Sequence, residues 1–171
     1  MSFIFLIGLP GAGKSTVGKK ISKHLKYSFI DLDQFIEKKE NCSISNLFLI
    51  QGEEYFREVE KNCLLEILSL KENILVSTGG GTPCFFNNLD LMLQKGIVIY
   101  LNPPIGMIAQ RVAEGKKKRP FFKGLSSKET ESKVRELLAA RESYYKKAHV
   151  AFNQEFQALG EFIKEIELLI K

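Results

Sequence analysis

The stretch GLPGAGKST, residues 8–16, constrains this chain more than any other. It fits G-x-x-x-x-G-K-[ST], with Gly8, Gly13, Lys14 and Ser15 at the defining positions. Glycines there let consecutive backbone N–H groups curl around phosphate oxygens, while the following helix points its positive end at them. Gly11, Ala12, Gly13, Lys14, Ser15 and Thr16 are therefore the expected nucleotide cradle, with Lys14 reaching the β and γ phosphates and Ser15 ligating Mg²⁺. Such a loop has meaning only between a strand and a helix. FIFLI (3–7) precedes it, and Val17, Ile21 and Leu25 recur every four residues after it.

The strand signal returns at YSFID (27–31), ILVST (74–78), IVIYL (97–101) and, weakly, HVAF (149–152). Helical stripes fill the gaps: Phe56, Val59, Cys63, Ile67 and Leu68 after Gly52, then Val134, Leu137, Leu138 and Tyr145. Apolar strands joined by crossover helices predict a parallel α/β sheet, with ligands at the carboxyl ends of its strands. At 171 residues and 44% apolar, the chain makes one domain over 1–171, without repeats or linkers.

Several function classes drop out. No apolar stretch nears the roughly 20 residues that span a bilayer, and the N-terminus lacks a basic start and a small-residue cleavage site. A cytoplasmic protein without membrane contact is expected. Cys42, Cys63 and Cys84 are odd in number and widely spaced, so neither a disulfide framework nor a zinc site is supported. The net charge of +5 is spread along the chain among twenty acids, and only GKKKRP (115–120) is dense. No nucleic-acid-binding pattern accompanies it, and a diffuse positive field serves small anionic substrates.

Two further strand ends carry chemistry. In DLDQF, period-2 alternation would put Asp31 and Asp33 on one side of a strand end, one to hold Mg²⁺ through water and the other to orient and deprotonate a hydroxyl. Asp33 reads equally as an N-cap of a helix starting at Gln34. ILVSTGGG offers no acid at the end of the third strand, where many P-loop enzymes carry one, which makes Asp31 the better metal candidate. Three consecutive glycines, Gly79, Gly80 and Gly81, exceed the needs of a turn and indicate a close approach to that backbone.

Taken together, GLPGAGKST, FIDLDQFIE, QGEEYFREVE, STGGGTP, KKRPFF and RESYYKKA resemble the shikimate kinase family in order and spacing, over most of residues 3–148. The resemblance implies a three-layer α/β/α P-loop fold, with a five-stranded parallel sheet of order 2-3-1-4-5 and a mobile lid. It implies Mg²⁺-dependent, ATP-dependent phosphorylation of the shikimate 3-hydroxyl, by a monomer in the cytoplasm, on the way to chorismate and the aromatic amino acids. By the same resemblance, residues 33–62 form a substrate-binding segment. Asp33 binds the ring hydroxyls and acts as base, Asp31 is the magnesium residue acting through water, and Arg57 and Arg141 grip the shikimate carboxylate. Glu60, three residues beyond Arg57, is placed to hold its guanidinium. Gly79, Gly80 and Gly81 bring backbone amides against the ring, and Thr78 fits the hydroxyl position before them.

Residues 114–127, EGKKKRPFFKGLSS, resemble the family lid, with Arg119 meeting the transferred group, Arg111 stacking on adenine, and Phe121 and Phe122 excluding water. Lys14, Asp33 and Arg119 are the expected catalytic groups. The Thr- or Pro-containing loop that usually touches adenine is absent from AFNQEFQALGEF, and His24 and His149 read as structural. The rival class is a related kinase acting on gluconate or a nucleoside monophosphate, and DLD, FREVE and GGG in one chain speak against it.

Overall fold

The computed structural model describes residues 2–115, 122, 124–153 and 155–170. Its order is β1 (Phe3–Ile7), α1 (Lys14–Leu25), β2 (Ser28–Asp31), α2 (Leu32–Glu40), α3 (Ile44–Leu68), β3 (Ile74–Ser77), α4 (Asn88–Lys95), β4 (Gly96–Leu101), α5 (Ile105–Glu114), α6 (Ser127–Tyr145), β5 (Val150–Phe152) and α7 (Leu159–Ile170). A short 3₁₀ turn, Thr82–Cys84, follows β3.

The five strands form one parallel sheet of order β2-β3-β1-β4-β5, as the sequence led us to expect. β1 lies at its centre and is buried at every position. Its side chains alternate between two cores. Phe3, Phe5 and Ile7 pack with Leu32, Ile36, Phe56, Ile108 and Tyr145 on one face, whereas Ile4 and Leu6 pack with Val17, Ile21, Phe162 and Ile166 on the other. Each such side chain contributes about 1.5–3 kcal/mol when fully buried, so the sheet is fixed from both sides.

Two local features position the site. α3 contains Gly52 at φ 81, ψ 174, a break that separates its first turns from the longer stretch carrying Phe56, Arg57 and Glu60. α6 opens with a capping box in which Ser126 and Glu129 each bond the other's backbone N–H. Of the expected lid, residues 116–121 and 123 lie outside the described residues, Arg119 and Phe121 among them. Phe122 is buried in the core beside α5 and α6.

One local expectation is corrected. The chain leaves the strand at Asp31, whose side chain accepts from the Gln34 amide at 3.3 Å and caps a helix that starts at Leu32. Asp31 is therefore the cap, and Asp33 lies in the first helical turn. Helical rather than period-2 geometry sets their relation, because a carboxylate at the strand end satisfies orphan amides that an extended Asp31–Asp33 segment would not present.

Among the described residues, no helix is long and apolar enough to cross a membrane.

Candidate active site

A cleft of about 1340 Å³ opens at the carboxyl ends of the strands. β1 delivers the glycine-rich loop there. Gly8, Gly11 and Gly13 have φ of 136°, 88° and 94°, and a Cβ on Gly8 would stand 2.6 Å from the Leu101 carbonyl oxygen. Larger residues at these points would be strained or would displace the neighbouring strand. α1 starts at Lys14, and no side chain caps its N-terminus. Gly11, Gly13, Lys14, Ser15 and Thr16 line the cleft. Ala12 does not: it is buried in the core, and its amide donates to Leu9 O at 3.1 Å. Lys14 Nζ folds back over the loop, donating to Gly8 O at 2.8 Å and Leu9 O at 2.9 Å.

Beside the loop, Ser15 Oγ donates to Asp31 Oδ2 at 2.5 Å and lies 3.3 Å from Ser77 Oγ. The parallel register sets Asp31 opposite Ser77. These three oxygen donors are of the hard type that Mg²⁺ prefers. Ser77 escaped the sequence reading because a serine ending an apolar strand gives no signal until the sheet pairs it with Asp31. Among the described residues no group of three or more His, Cys, Asp or Glu gathers. A cation here would depend on substrate phosphates and water for the rest of its shell.

Asp33 lines the cleft from the first turn of α2. Its carboxyl pKa is pushed up to about 6, mainly by burial, with the negative charges of Glu60 and Asp31 adding to the rise and Lys14 opposing it. Such a group is largely ionised at pH 7 and still basic enough to take a proton.

Across from it lies Arg57, 6% exposed. Nη1 donates to Glu60 Oε2 at 2.7 Å, while Nη2 and Nε donate to Glu53 Oε1 at 3.0 and 3.2 Å. The other oxygen of Glu60, itself fully buried, accepts from Thr82 Oγ1 at 2.6 Å. Arg57 is thus no solvated surface charge. Glu60 holds it as the i,i+3 spacing suggested, and Glu53, four residues before it, was equally legible by spacing but was not singled out.

The glycine run gains a specific explanation. None of Gly79, Gly80 and Gly81 has a positive φ. A Cβ on Gly79 would stand 2.9 Å from Glu60 Oε1 and 3.0 Å from Asp33 Oδ1, one on Gly80 2.6 Å from Pro10 Cδ, and one on Gly81 2.7 Å from Arg57 Nη2. The Glu60 and Asp33 carboxylates, Pro10 and the Arg57 guanidinium leave no free room for a Cβ at any of the three.

Arg141 lines the same cleft from α6, one turn before Tyr145. Thr78 also lines it, with its hydroxyl donating to Leu6 O at 3.0 Å. Arg111 lies against the loop, donating to Ala12 O at 3.4 Å. Phe152, Gln157, Ala158 and Leu159 close the far end, where Asn153 O accepts from the amides of Phe156 and Gln157 at 3.1 Å. His24 pairs with Glu167 at 3.2 Å on an exposed face, and His149 Nδ1 accepts from the Val98 amide at 3.0 Å; neither is in the cleft. Cys42, Cys63 and Cys84 are free thiols.

This geometry has close counterparts. The sequence profile described as shikimate kinase matches residues 10–170. The chain is 43% identical over 155 residues to the shikimate kinase of Parabacteroides distasonis, covering 91% of this chain and 89% of the relative. It is 40% identical over 166 residues to that of Azobacteroides pseudotrichonymphae, covering 97% and 98%. The crystal structure of shikimate kinase from Bacteroides thetaiotaomicron superposes with a TM-score of 0.90 at 34% identity, over 99% of this chain and 98% of that one. The Acinetobacter baumannii enzyme in complex with shikimate superposes with a TM-score of 0.86 at 33% identity, over 99% and 93%.

Proposed function

The chain belongs to the shikimate kinase family, and from this premise we infer that it transfers the γ-phosphoryl group of ATP to the 3-hydroxyl of shikimate in this cleft. The products are shikimate 3-phosphate and ADP, and the reaction lies on the way to chorismate and the aromatic amino acids. The observation that carries the reading is Arg57. An arginine has five N–H groups, and Glu53 and Glu60 engage one each on Nε, Nη2 and Nη1. One N–H remains on each terminal nitrogen, the paired fork that a carboxylate takes. Arg141 supplies a second cation for the same end of the substrate.

With the carboxylate held there, the ring reaches toward Asp33 across Gly79. Asp33 accepts the proton of the attacking hydroxyl, and the hydroxyl oxygen forms its bond to the γ phosphorus as the bond to the β,γ-bridging oxygen breaks. Lys14 balances charge on the departing β phosphate and the transferred group. Ser15 and Asp31, the latter through water, would hold Mg²⁺, which supplies Lewis-acid neutralisation of the phosphate oxygens. Arg111 faces the adenine side of the cleft, and Arg119, outside the described residues, is assigned to the transferred group. Residues 33–62 serve as the substrate-binding segment and 114–127 as the lid. The reading locates the enzyme with its ATP supply in the cytoplasm, acting as a monomer.

ADP release measured with shikimate, gluconate, AMP and no acceptor tests this. Release should require shikimate; equal turnover of gluconate or AMP would overturn the substrate assignment.

A further inference from the structure

Arg57 and Lys61 stand one turn apart on α3, and each cation lies over a ring from the segment that follows the glycine run. Arg57 Cζ is 4.0 Å from the centroid of Phe85, and Lys61 Nζ is 4.6 Å from that of Phe86. Among the described residues, Phe85 is the nearest of three rings around this guanidinium, with Phe56 at 5.0 Å and Phe48 at 5.9 Å. Phe48 and Phe56 line the cleft, whereas Phe85 belongs neither to the cleft wall nor to either hydrophobic core. Its contact with Arg57 is not a by-product of core packing.

The backbone is bent to make this contact. Successive side chains of an extended segment point to opposite sides, so two neighbours cannot both face one helix. Phe85 is extended at φ −116°, ψ 147°, but Phe86 sits at φ 51°, a region that bulky side chains rarely adopt. The left-handed turn brings both rings onto α3. The two cation-ring contacts are what this turn gains.

We propose that Phe85 is a positioning residue for the reaction: its ring backs the Arg57 guanidinium and keeps the carboxylate fork aimed into the cleft, with the Phe86–Lys61 contact as the clip that holds Phe85 there. This rests on the assignment of Arg57 to the substrate carboxylate. Glu53 and Glu60 fix the edges of the guanidinium, but edge contacts alone allow it to tilt. A ring packed against it removes that freedom and excludes water from its rear, so the fork is preorganised and substrate pays less to order it.

The test is shikimate affinity of the intact chain by calorimetry, with KM and kcat for both substrates and a melting curve on every variant. Phe85→Leu keeps apolar bulk and removes the π face, so shikimate Kd and KM should rise about 3- to 30-fold, while kcat at saturation and KM for ATP stay within about twofold. Phe85→Tyr should restore affinity. Phe86→Val, whose branched Cβ opposes a left-handed φ and which lacks the ring over Lys61, should copy Phe85→Leu, and Phe86→Tyr, which keeps the ring, should bind normally. If Phe85→Leu fails to fold, the Phe86 pair decides. Arg57→Lys is the control for the underlying assignment. Unchanged shikimate affinity in Arg57→Lys would remove that assignment and the proposal with it. Weakened binding in Arg57→Lys with normal binding in both Phe85→Leu and Phe86→Val overturns the positioning role alone, as do equal losses for shikimate and ATP.

Discussion

Tyr145 Oη donates a 2.6 Å hydrogen bond to the backbone carbonyl of Gly80, tying the end of α6 to the glycine run across the cleft. The ring also packs on Tyr100, with centroids 5.1 Å apart, and burial pushes the phenol pKa up, so it stays a donor at any working pH. Arg141 lies one turn earlier on the same helix, and its positive charge opposes part of that rise. Tyr145 thereby fixes the glycine backbone relative to the helix that carries Arg141. Tyr145→Phe leaves the Gly80 carbonyl unpaired at a cost of about 1–3 kcal/mol. It should raise the KM for shikimate about tenfold or less, with little change in the KM for ATP, which steady-state kinetics checks directly.

Lys14 presents a different balance. Its ammonium is held by two carbonyls of its own loop, so its removal frees them as well as deleting the cation. Lys14→Ala should cut kcat/KM by roughly 10³-fold or more, since a preorganised charge at the transferred group is lost. The circular dichroism spectrum should be unchanged. Near-normal turnover would remove the kinase assignment.

Asp33 couples activity to stability with opposite signs. Its pKa rises from 3.8 to about 6 in the fold, so the native state binds the proton more tightly than the unfolded chain does. Stability from this group is present below about pH 4 and is lost as the pH rises through about 6, amounting to at most about 3 kcal/mol above that range. Asp33→Asn should therefore melt at a higher temperature at pH 7. Its kcat should fall by roughly 10²-fold or more, and the acid limb near pH 6 in kcat/KM should vanish. A lower melting temperature with retained activity would show that Asp33 has no catalytic role.

Arg57 can be probed from both sides of its contact. The methyl ester of shikimate loses the carboxylate charge and should bind about 2–5 kcal/mol more weakly, because it leaves the arginine fork partly desolvated and unpaired. In Arg57→Ala the partner is already gone, so the ester should lose much less in addition. Full additivity of the two changes would show that Arg57 does not meet the carboxylate. Gly81→Ala gives an independent check: a Cβ 2.7 Å from Nη2 must displace the guanidinium, and shikimate affinity should fall while ATP affinity holds.

Arg111 touches the loop backbone at Ala12. Arg111→Ala should mostly raise the KM for ATP and leave kcat near its original value. A large fall in kcat with unchanged KM would assign it to the transferred phosphoryl group instead.

Much was legible from sequence because it depends on local rules. The strand preceding GLPGAGKST and the helix following it specify a phosphate loop through glycine's conformational freedom and helix geometry alone, and Gly8, Gly11 and Gly13 do take the positive φ that this requires. Apolar strands alternating with amphipathic helices were enough for a parallel sheet; its order came from the family resemblance, and the structure agrees. The spacing of Arg57 and Glu60 gave a contact because three residues along a helix always lie on one face.

Tertiary structure decided the rest, where partners are distant in the chain. Local alternation put Asp33 on a strand, but the Asp31 carboxylate claims the Gln34 amide and turns Asp33 into a helix that aims it at Gly79. Ser77 joins Asp31 only through sheet register, and Tyr145 reaches Gly80 only because α6 packs against the turn that follows β3. The glycine run shows the division most clearly: its composition announced a close approach, but which atoms approach is set by packing three elements at once, and no rule of sequence spacing encodes that.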